Sequence, residues 1–158
     1  MIDTMTLIAT AGAMDITIKT AAADDKIAVY YNSACPVCRR GIEWQQGQMS
    51  TCEIEWIDVH ASPDAVAQIG AGFGRDNFES SGLESADLES VRERLHVRDA
   101  QGRVLIGADA VAFVMERTPG QRWLGRFASL PMIRPAMRWA YDVFARVLYR
   151  WNRSKGRW

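Results

Sequence analysis

The sequence predicts an α/β domain followed by added C-terminal helices. Two short runs rich in β-branched and aromatic residues, Ile27 to Tyr31 and Glu53 to Val59, have the length and composition of buried strands. A segment with helical character lies between them, and two alternating runs around Gly102 indicate a β-hairpin further along the chain. Strand, helix and strand in this order predict a parallel βαβ unit with a right-handed crossover.

Two cysteines spaced C-x-x-C, Cys35 and Cys38, lie where the first strand gives way to the helix. Pro36 suits the first helical position, because its missing N–H would have no intrahelical partner there. Cys35 is therefore the predicted N-cap. A sulfur at that place faces unpaired backbone N–H groups and the positive end of the helix dipole, which favour thiolate over thiol. We expect a lowered pKa for Cys35, and a more buried, less ionised thiol for Cys38 one turn further in.

Such a pair can divide the steps of thiol–disulfide exchange. Cys35 would attack a disulfide to form a mixed disulfide, and Cys38 would resolve it by attacking Cys35. Arg39 and Arg40 follow directly and could add positive electrostatic potential at the cysteines. We favour the alternative that they lie on a solvent-exposed face of the helix. Trp44 and Trp56 are expected in the core.

Capping and turn residues predict the remaining elements. Gly102 supplies the positive φ that a hairpin turn needs, and Gly70 to Ser81 is predicted to be a flexible surface loop. Further helices are predicted over Ser62–Ile69, Ser85–Arg94, Ala110–Arg117 and Pro135–Arg153, and hairpin strands over Leu95–Arg98 and Arg103–Ile106.

Periodicity and charge divide the chain into three parts. Residues 1–25 show no sustained period and are predicted to be a loosely ordered extension, 26–120 the α/β domain, and 121–158 a basic helical segment packed on it. Residues 1–116 contain 9 Lys/Arg and 18 Asp/Glu, whereas 117–158 contain 10 Lys/Arg and one acid, Asp142, for a net charge of +9. Either an acidic body embraced by a basic tail or a tail that meets an anionic partner would give this pattern.

The cysteine count and the N-terminus bear on the compartment. Three cysteines are an odd number and too few for a disulfide scaffold in a chain of 158 residues, which favours a reducing compartment. The N-terminus lacks the positive region of a signal peptide, and no apolar run reaches the roughly 18 residues of a transmembrane span. We therefore expect a cytoplasmic protein.

The order of elements, with C-x-x-C at the first strand-to-helix junction, resembles the thioredoxin fold. More specifically, the chain resembles the DCC family of predicted thiol-disulfide oxidoreductases over roughly residues 27–150, through Tyr31 to Cys38 and a later run from Gly82 to Ala110. The resemblance implies a thioredoxin-like domain over 26–120 and Cys35 and Cys38 as the redox pair. For the predicted exchange reaction we expect a disulfide-containing protein or small thiol as partner, and no metal or organic cofactor.

Two departures from the family pattern affect the site. Asn32-Ser33 stands where the signature has Asp-Gly, so an Asp is not available there as a proton acceptor, although Asn32 can still shape the turn by hydrogen bonding. Thioredoxins also place a cis-proline facing the cysteines just before the hairpin, and Val91 to Leu95 contains no proline. The substrate backbone must therefore be held in another way.

A zinc site is an alternative interpretation of the cysteines. Cys35, Cys38, Cys52 and His60 form C-x2-C-x13-C-x7-H, a set of four potential ligands. Redox chemistry is favoured, because Pro36 and the immediate helix suit an N-cap thiol and Cys52 opens a strand at the end remote from the pair. Cys52 is then a small core or edge residue.

Other candidate proton-transfer groups are weaker. His60 ends a strand near the presumed active edge, but a solvated loop position is favoured, and His96 has no predicted role. Asp109, Glu43 and Asp58 are further candidates for a base near the cysteines.

The basic C-terminal segment suggests a function of another class, a binding module whose cysteines are structural or bind zinc. Its arginines alternate with tryptophans, a composition that suits an anionic membrane surface or, less well, nucleic acid. The favoured interpretation is that the helices cover the sheet with their apolar side and expose their arginines. The residues concerned are Arg122, Arg126, Arg134, Arg138, Arg146, Arg150, Arg153, Lys155 and Arg157, with Trp123, Trp139, Trp151 and Trp158.

Overall fold

A computed structural model describes residues 26–49, 54–71 and 87–158. These ranges contain four strands and six α-helices, with a short 3₁₀ turn at Pro63–Ala65. The strands are β1 (Ile27–Tyr31), β2 (Ile54–Asp58), β3 (His96–Arg98) and β4 (Val104–Ile106). The helices are α1 (Pro36–Gln48), α2 (Val66–Ala71), α3 (Leu88–Glu93), α4 (Ala108–Arg117), α5 (Arg122–Ala128) and α6 (Arg134–Ser154).

The strands form one mixed sheet in the order β2-β1-β3-β4. β1 and β2 are parallel with α1 between them in sequence, as the βαβ prediction requires, and β3 pairs antiparallel with both β1 and β4. Gly102 has a φ of 77° in the turn between β3 and β4, which confirms the predicted hairpin. The sheet and the helices around it make a thioredoxin-like fold with added C-terminal helices.

Two apolar clusters hold the helices to the two faces of the sheet. Alternate residues of β1 point to opposite faces, so Ala28 and Tyr30 enter one cluster and Val29 enters the other. The first cluster adds residues of α2 and α3, and the second adds residues of α1 and α4. The central strand β1, which carries the C-x-x-C junction at its end, is thereby fixed on both sides.

A buried polar network ties α1 to the junction between α4 and α5. Gln45 Nε2 donates to Gln121 Oε1 at 3.1 Å, and the Thr118 hydroxyl donates to Gln45 Oε1 at 2.8 Å. All three side chains are buried, and their polar atoms find partners in one another. The network holds the helix that follows the cysteines against the C-terminal part of the chain.

The long helix α6 packs on α3 and α4 through one side only. Arg134 and Arg138 at its start bind Asp109, and Tyr141 and Ala145 lie against the domain. The expectation that α6 buries its apolar side is met at Ala145, which is buried, and at Leu148, which lines a cavity against the domain, but not along the rest of the helix. Its apolar side is exposed at Met137, Trp139, Val143, Phe144, Val147 and Trp151.

Several further expectations can be compared with the structure. Trp56 packs against the core, but Trp44 is 55% exposed, because α1 turns Ile42 and Gln45 inward instead. The helix predicted to end at Ile69 continues to Ala71, so Gly70 is helical and not in a loop. Residues 1–25, Cys52 and the rest of the predicted loop, 72–81, lie outside the described residues.

Among the helices of the described ranges, none is long and apolar enough to cross a membrane.

Candidate active site

Cys35 caps the first helix, as the sequence predicts. Its backbone is extended, with φ −83° and ψ 110°, and Pro36 takes the first helical position. The Cys35 sulfur accepts a hydrogen bond from the backbone N–H of Cys38 at 3.3 Å, in the manner of an N-cap side chain. The two cysteines therefore lie together at the helix start, beyond the end of β1.

Hydrogen bonding separates the acidities of the two thiols. The Cys38 side chain, by donating to the Cys35 sulfur, is the largest cause that lowers the pKa of Cys35, and burial opposes it. Backbone N–H groups of Cys38 and Val37 and the Asn152 side chain also favour the thiolate, and the pKa of Cys35 falls to about 6. The same bond raises the pKa of Cys38, and burial and the Cys35 charge add to the rise. Near neutral pH the pair is a thiolate beside a thiol.

The burial of the two cysteines differs from the expectation. Cys35 is only 1% exposed and Cys38 is partly exposed, whereas Cys38 was expected to be the more buried. The reason is that α6, which no local pattern places near the cysteines, brings Asn152 to the Cys35 side of the motif. Cys38 instead faces a cavity.

Asn152 is the functional residue that the sequence did not indicate. It is 1% exposed, and Arg157 Nη1 donates to its Oδ1 at 2.6 Å. Its Nδ2 is buried and makes no hydrogen bond of ordinary geometry, and its side chain makes a minor contribution to the lowered pKa of Cys35. A signal was present in the sequence, since Asn152 shares a helix face with Tyr141, Ala145 and Leu148, and a polar residue on a packed face needs a partner.

The end of α6 is also bound to α3. Tyr149 OH donates to Glu89 Oε2 at 2.5 Å, and Arg153 Nη1 lies 3.5 Å from the same oxygen. These contacts hold the turn that carries Asn152 against the domain. In this arrangement Cys35 is 1% exposed to solvent.

The turn before Cys35 is braced from two sides. Asn32 Oδ1 accepts from the N–H of Ala34 at 3.0 Å, which confirms that Asn32 shapes the turn. Asp58, at the end of β2, accepts from the N–H of Ser33 and of His60, each at 3.0 Å. Burial would raise the pKa of the Asp58 carboxyl, but these hydrogen bonds outweigh it and the pKa is lowered. Asp58 is therefore ionised, and its carboxylate stabilises the turn before Cys35.

The remaining candidate groups lie elsewhere or are occupied. Asp109 is bound by Arg134 and Arg138. Burial would raise the pKa of the Asp109 carboxyl, but the two arginines outweigh it and the pKa is lowered. Glu43 is exposed and lies 3.7 Å from Arg39, and His60 is exposed as expected. His96 is fully buried, with Nδ1 2.9 Å from the Arg94 carbonyl oxygen, and burial lowers its pKa to about 4.

The described residues contain no group of three or more His, Cys, Asp or Glu side chains arranged to hold a metal ion. Cys52, the third member of the possible zinc set, is not among them. Within the described ranges, the donors close to Cys35 are nitrogen-bound hydrogens and the Cys38 thiol, which suit a thiolate.

A mostly apolar cavity of about 340 Å³ adjoins Cys38, between α1, α4 and α6. Asn32 lies in its wall, and its buried Nδ2 makes no hydrogen bond. Tyr141, also in the wall, accepts from the backbone N–H of Leu95 at 3.0 Å. Leu95 directly precedes the hairpin, at the place where thioredoxins have the cis-proline. The backbone N–H of Leu95 is therefore already bonded to a side chain of α6. Further wall residues are Val37, Ile42, Trp44, Leu95, Val114, Met115, Phe144 and Leu148.

The fold and the site together define a thioredoxin-like protein with two free thiols at the start of its first helix. The model of the DCC1-like thiol-disulfide oxidoreductase family matches residues 29–154 of the chain. The chain therefore belongs to this family, as the resemblance implied. No curated protein and no solved structure matches it.

Proposed function

We propose that this protein carries out dithiol–disulfide exchange through Cys35 and Cys38 on a disulfide-containing protein or small disulfide. The observation that carries the proposal is the N-cap position of the Cys35 sulfur, whose pKa of about 6 makes it mostly thiolate at neutral pH. The thiolate is the attacking species in this chemistry. The family supports thiol-disulfide oxidoreductase activity in general.

The exchange proceeds in two steps. The Cys35 thiolate attacks one sulfur of the partner disulfide, forms a mixed disulfide, and releases the other partner sulfur as a thiolate that takes up a proton. Cys38 then loses its proton and attacks the Cys35 sulfur, which releases the second partner thiol. The partner gains two electrons, and the protein is left with a Cys35–Cys38 disulfide.

The pKa values fit this division of roles. Cys38 retains its proton while Cys35 is a thiolate, and the loss of the Cys35 charge in the mixed disulfide removes one cause of the raised pKa of Cys38. Cys38 thus becomes easier to deprotonate at the step that needs it. A reducing compartment such as the cytoplasm, which the odd number of cysteines favours, would return the pair to the dithiol form.

Trapping the mixed disulfide tests the proposal. Cys38→Ser keeps a hydroxyl donor beside Cys35 but cannot resolve the intermediate, so oxidised glutathione should leave one stable glutathionyl adduct on Cys35. Cys35→Ser is the matched control and should form adducts on Cys38 far more slowly at neutral pH, because burial still raises the pKa of the Cys38 thiol and no sulfur is left at the N-cap; adducts on Cys52 are counted separately by peptide mapping. Equal adduct formation by the two variants, read by mass spectrometry on folded protein, would contradict the proposed roles.

A further inference from the structure

The apolar residues on the solvent side of α6 form a continuous face. We name this set the outer face; its members are Met137, Trp139, Val143, Val147 and Trp151, which are between 42% and 71% exposed. Trp139, Val143, Val147 and Trp151 recur every four residues, so they follow one another along the same side of the helix. Single exposed apolar residues are ordinary on a protein surface, but a contiguous patch marks an interaction site.

The packed side of α6 is opposite to the outer face. Tyr141, Ala145, Leu148 and Asn152 repeat at helical spacing and lie against the domain or its cavity. The contacts of α6 with α3 and α4 are made on the packed side, and the outer face is left exposed. Its exposure therefore requires a reason other than packing on the domain.

Positive charge borders the outer face. Arg146 and Arg150 are exposed and make no ion pair with any residue that the structure describes. Asp142 is the single acidic residue in positions 118–158, and it lies 3.7 Å from Arg94, on the side that meets the domain. An apolar face with tryptophans, bordered by arginines and free of acidic residues, has the composition of a helix that lies at a lipid surface.

We propose that the outer face of α6 docks this protein on the surface of an anionic lipid bilayer. Trp139, Val147 and their neighbours would enter the boundary between headgroups and acyl chains, while Arg146 and Arg150 meet lipid phosphates. The helix lies along the surface and does not cross it. A second copy of the chain fits less well, because it would bring two segments of net charge +9 together.

This docking is independent of the proposed redox function, and co-sedimentation of the full chain with lipid vesicles tests it. Vesicles of phosphatidylcholine with about one-third phosphatidylglycerol should sediment the protein, and added salt should weaken the binding. Pure phosphatidylcholine vesicles should bind it much less. Retention of the chain in the supernatant with both kinds of vesicle would overturn the proposal.

Variants at exposed positions separate the contribution of the apolar residues from that of the arginines, without disturbing the packed side. Trp139→Glu with Val147→Glu should lower the vesicle partition coefficient at least tenfold. Arg146→Gln and Arg150→Gln should each lower it by about fivefold. The charge-matched controls are at exposed positions on α1: Gln46→Glu with Gln48→Glu for the double variant, and Arg40→Gln for the arginine variants. Both controls should leave the partition coefficient unchanged.

Other occupants of the outer face would give different results. A stable dimer in light scattering that Trp139→Glu with Val147→Glu abolishes would assign the face to a second copy and overturn the lipid proposal. Vesicle binding that the two α1 controls reduce as strongly as the α6 variants would also overturn it, because the attraction would then be unspecific.

Discussion

At the scale of single residues, the low pKa of Cys35 comes mainly from the Cys38 thiol and backbone N–H groups beside it, with a smaller contribution from one side chain at the far end of the chain. The N-cap hydrogen bond and the Cys38 thiol are local, and the sequence predicts both from Pro36 and the cysteine spacing. Asn152 could not be assigned in this way, because only the docking of α6 brings it to Cys35. Local chemistry was predictable here and its long-range support was not.

Asn152→Ala should therefore raise the pKa of Cys35 modestly from about 6, because the thiolate loses a neighbouring carboxamide that favours its charged form. The same change opens the buried sulfur, so at about pH 9, where most Cys35 is ionised in both proteins, iodoacetamide should alkylate the variant several-fold faster. The pH dependence of the alkylation rate measures both effects at once. Ser154→Ala, an exposed change on the same helix, is the control, and an unshifted pKa in Asn152→Ala would show that the carboxamide does not support the thiolate.

At the scale of the elements, the strands and α1 were predictable because their patterns are short and local. The side that α6 presents to the domain was not predictable, because apolar residues cover most of its circumference and the packed side carries Tyr141, Ala145 and Asn152. The packing of α5 on α4 depends on a single glycine. A Cβ built at Gly125 would lie 2.6 Å from the Ala112 carbonyl oxygen and 2.7 Å from the Glu116 nitrogen.

Gly125→Ala should lower the free energy of unfolding by about 1 to 3 kcal/mol, since backbone atoms cannot yield to the added methyl group. Gly47→Ala in α1 is the matched control, because a Cβ there meets nothing within 4 Å. This control should raise stability by about 0.5 to 1 kcal/mol through the helix preference of alanine. Urea denaturation of both variants gives the comparison, and equal stabilities would mean that α4 and α5 do not approach closely at Gly125.

At the scale of the whole molecule, stability should depend on pH through His96. Its pKa is about 4 in the folded protein, where burial disfavours the charged ring, against about 6.5 in the unfolded chain. Above about pH 6.5 the ring is neutral in both states; as the pH falls from there towards 4, the unfolded state takes up the proton first. The free energy of unfolding should therefore fall by about 3 kcal/mol as the pH is lowered from about 6.5 to about 4.

Urea denaturation between about pH 7 and pH 4 measures this dependence. His96→Gln should lower stability at neutral pH, because it changes a buried side chain, and should flatten the slope across the window. A slope that is the same in both proteins would place the titrating group elsewhere.

The fold class, the parallel βαβ unit, the hairpin and the capping position of Cys35 could be foreseen because strand composition, turn glycines and a helix-capping cysteine act over a few residues each. The exposed outer face of α6 and the covered sulfur of Cys35 could not, because both are consequences of how one long helix docks on a finished domain. They are also the features that distinguish this molecule from a simple βαβ and hairpin unit.

The most direct test of the central claim is a titration of thiolate absorbance in the reduced protein, compared with Cys35→Ser. We expect one thiolate with a midpoint near pH 6 that is absent from the Cys35→Ser variant. A midpoint near 8.5, the value of a free cysteine, or a midpoint near 6 that persists in Cys35→Ser, would contradict an activated Cys35.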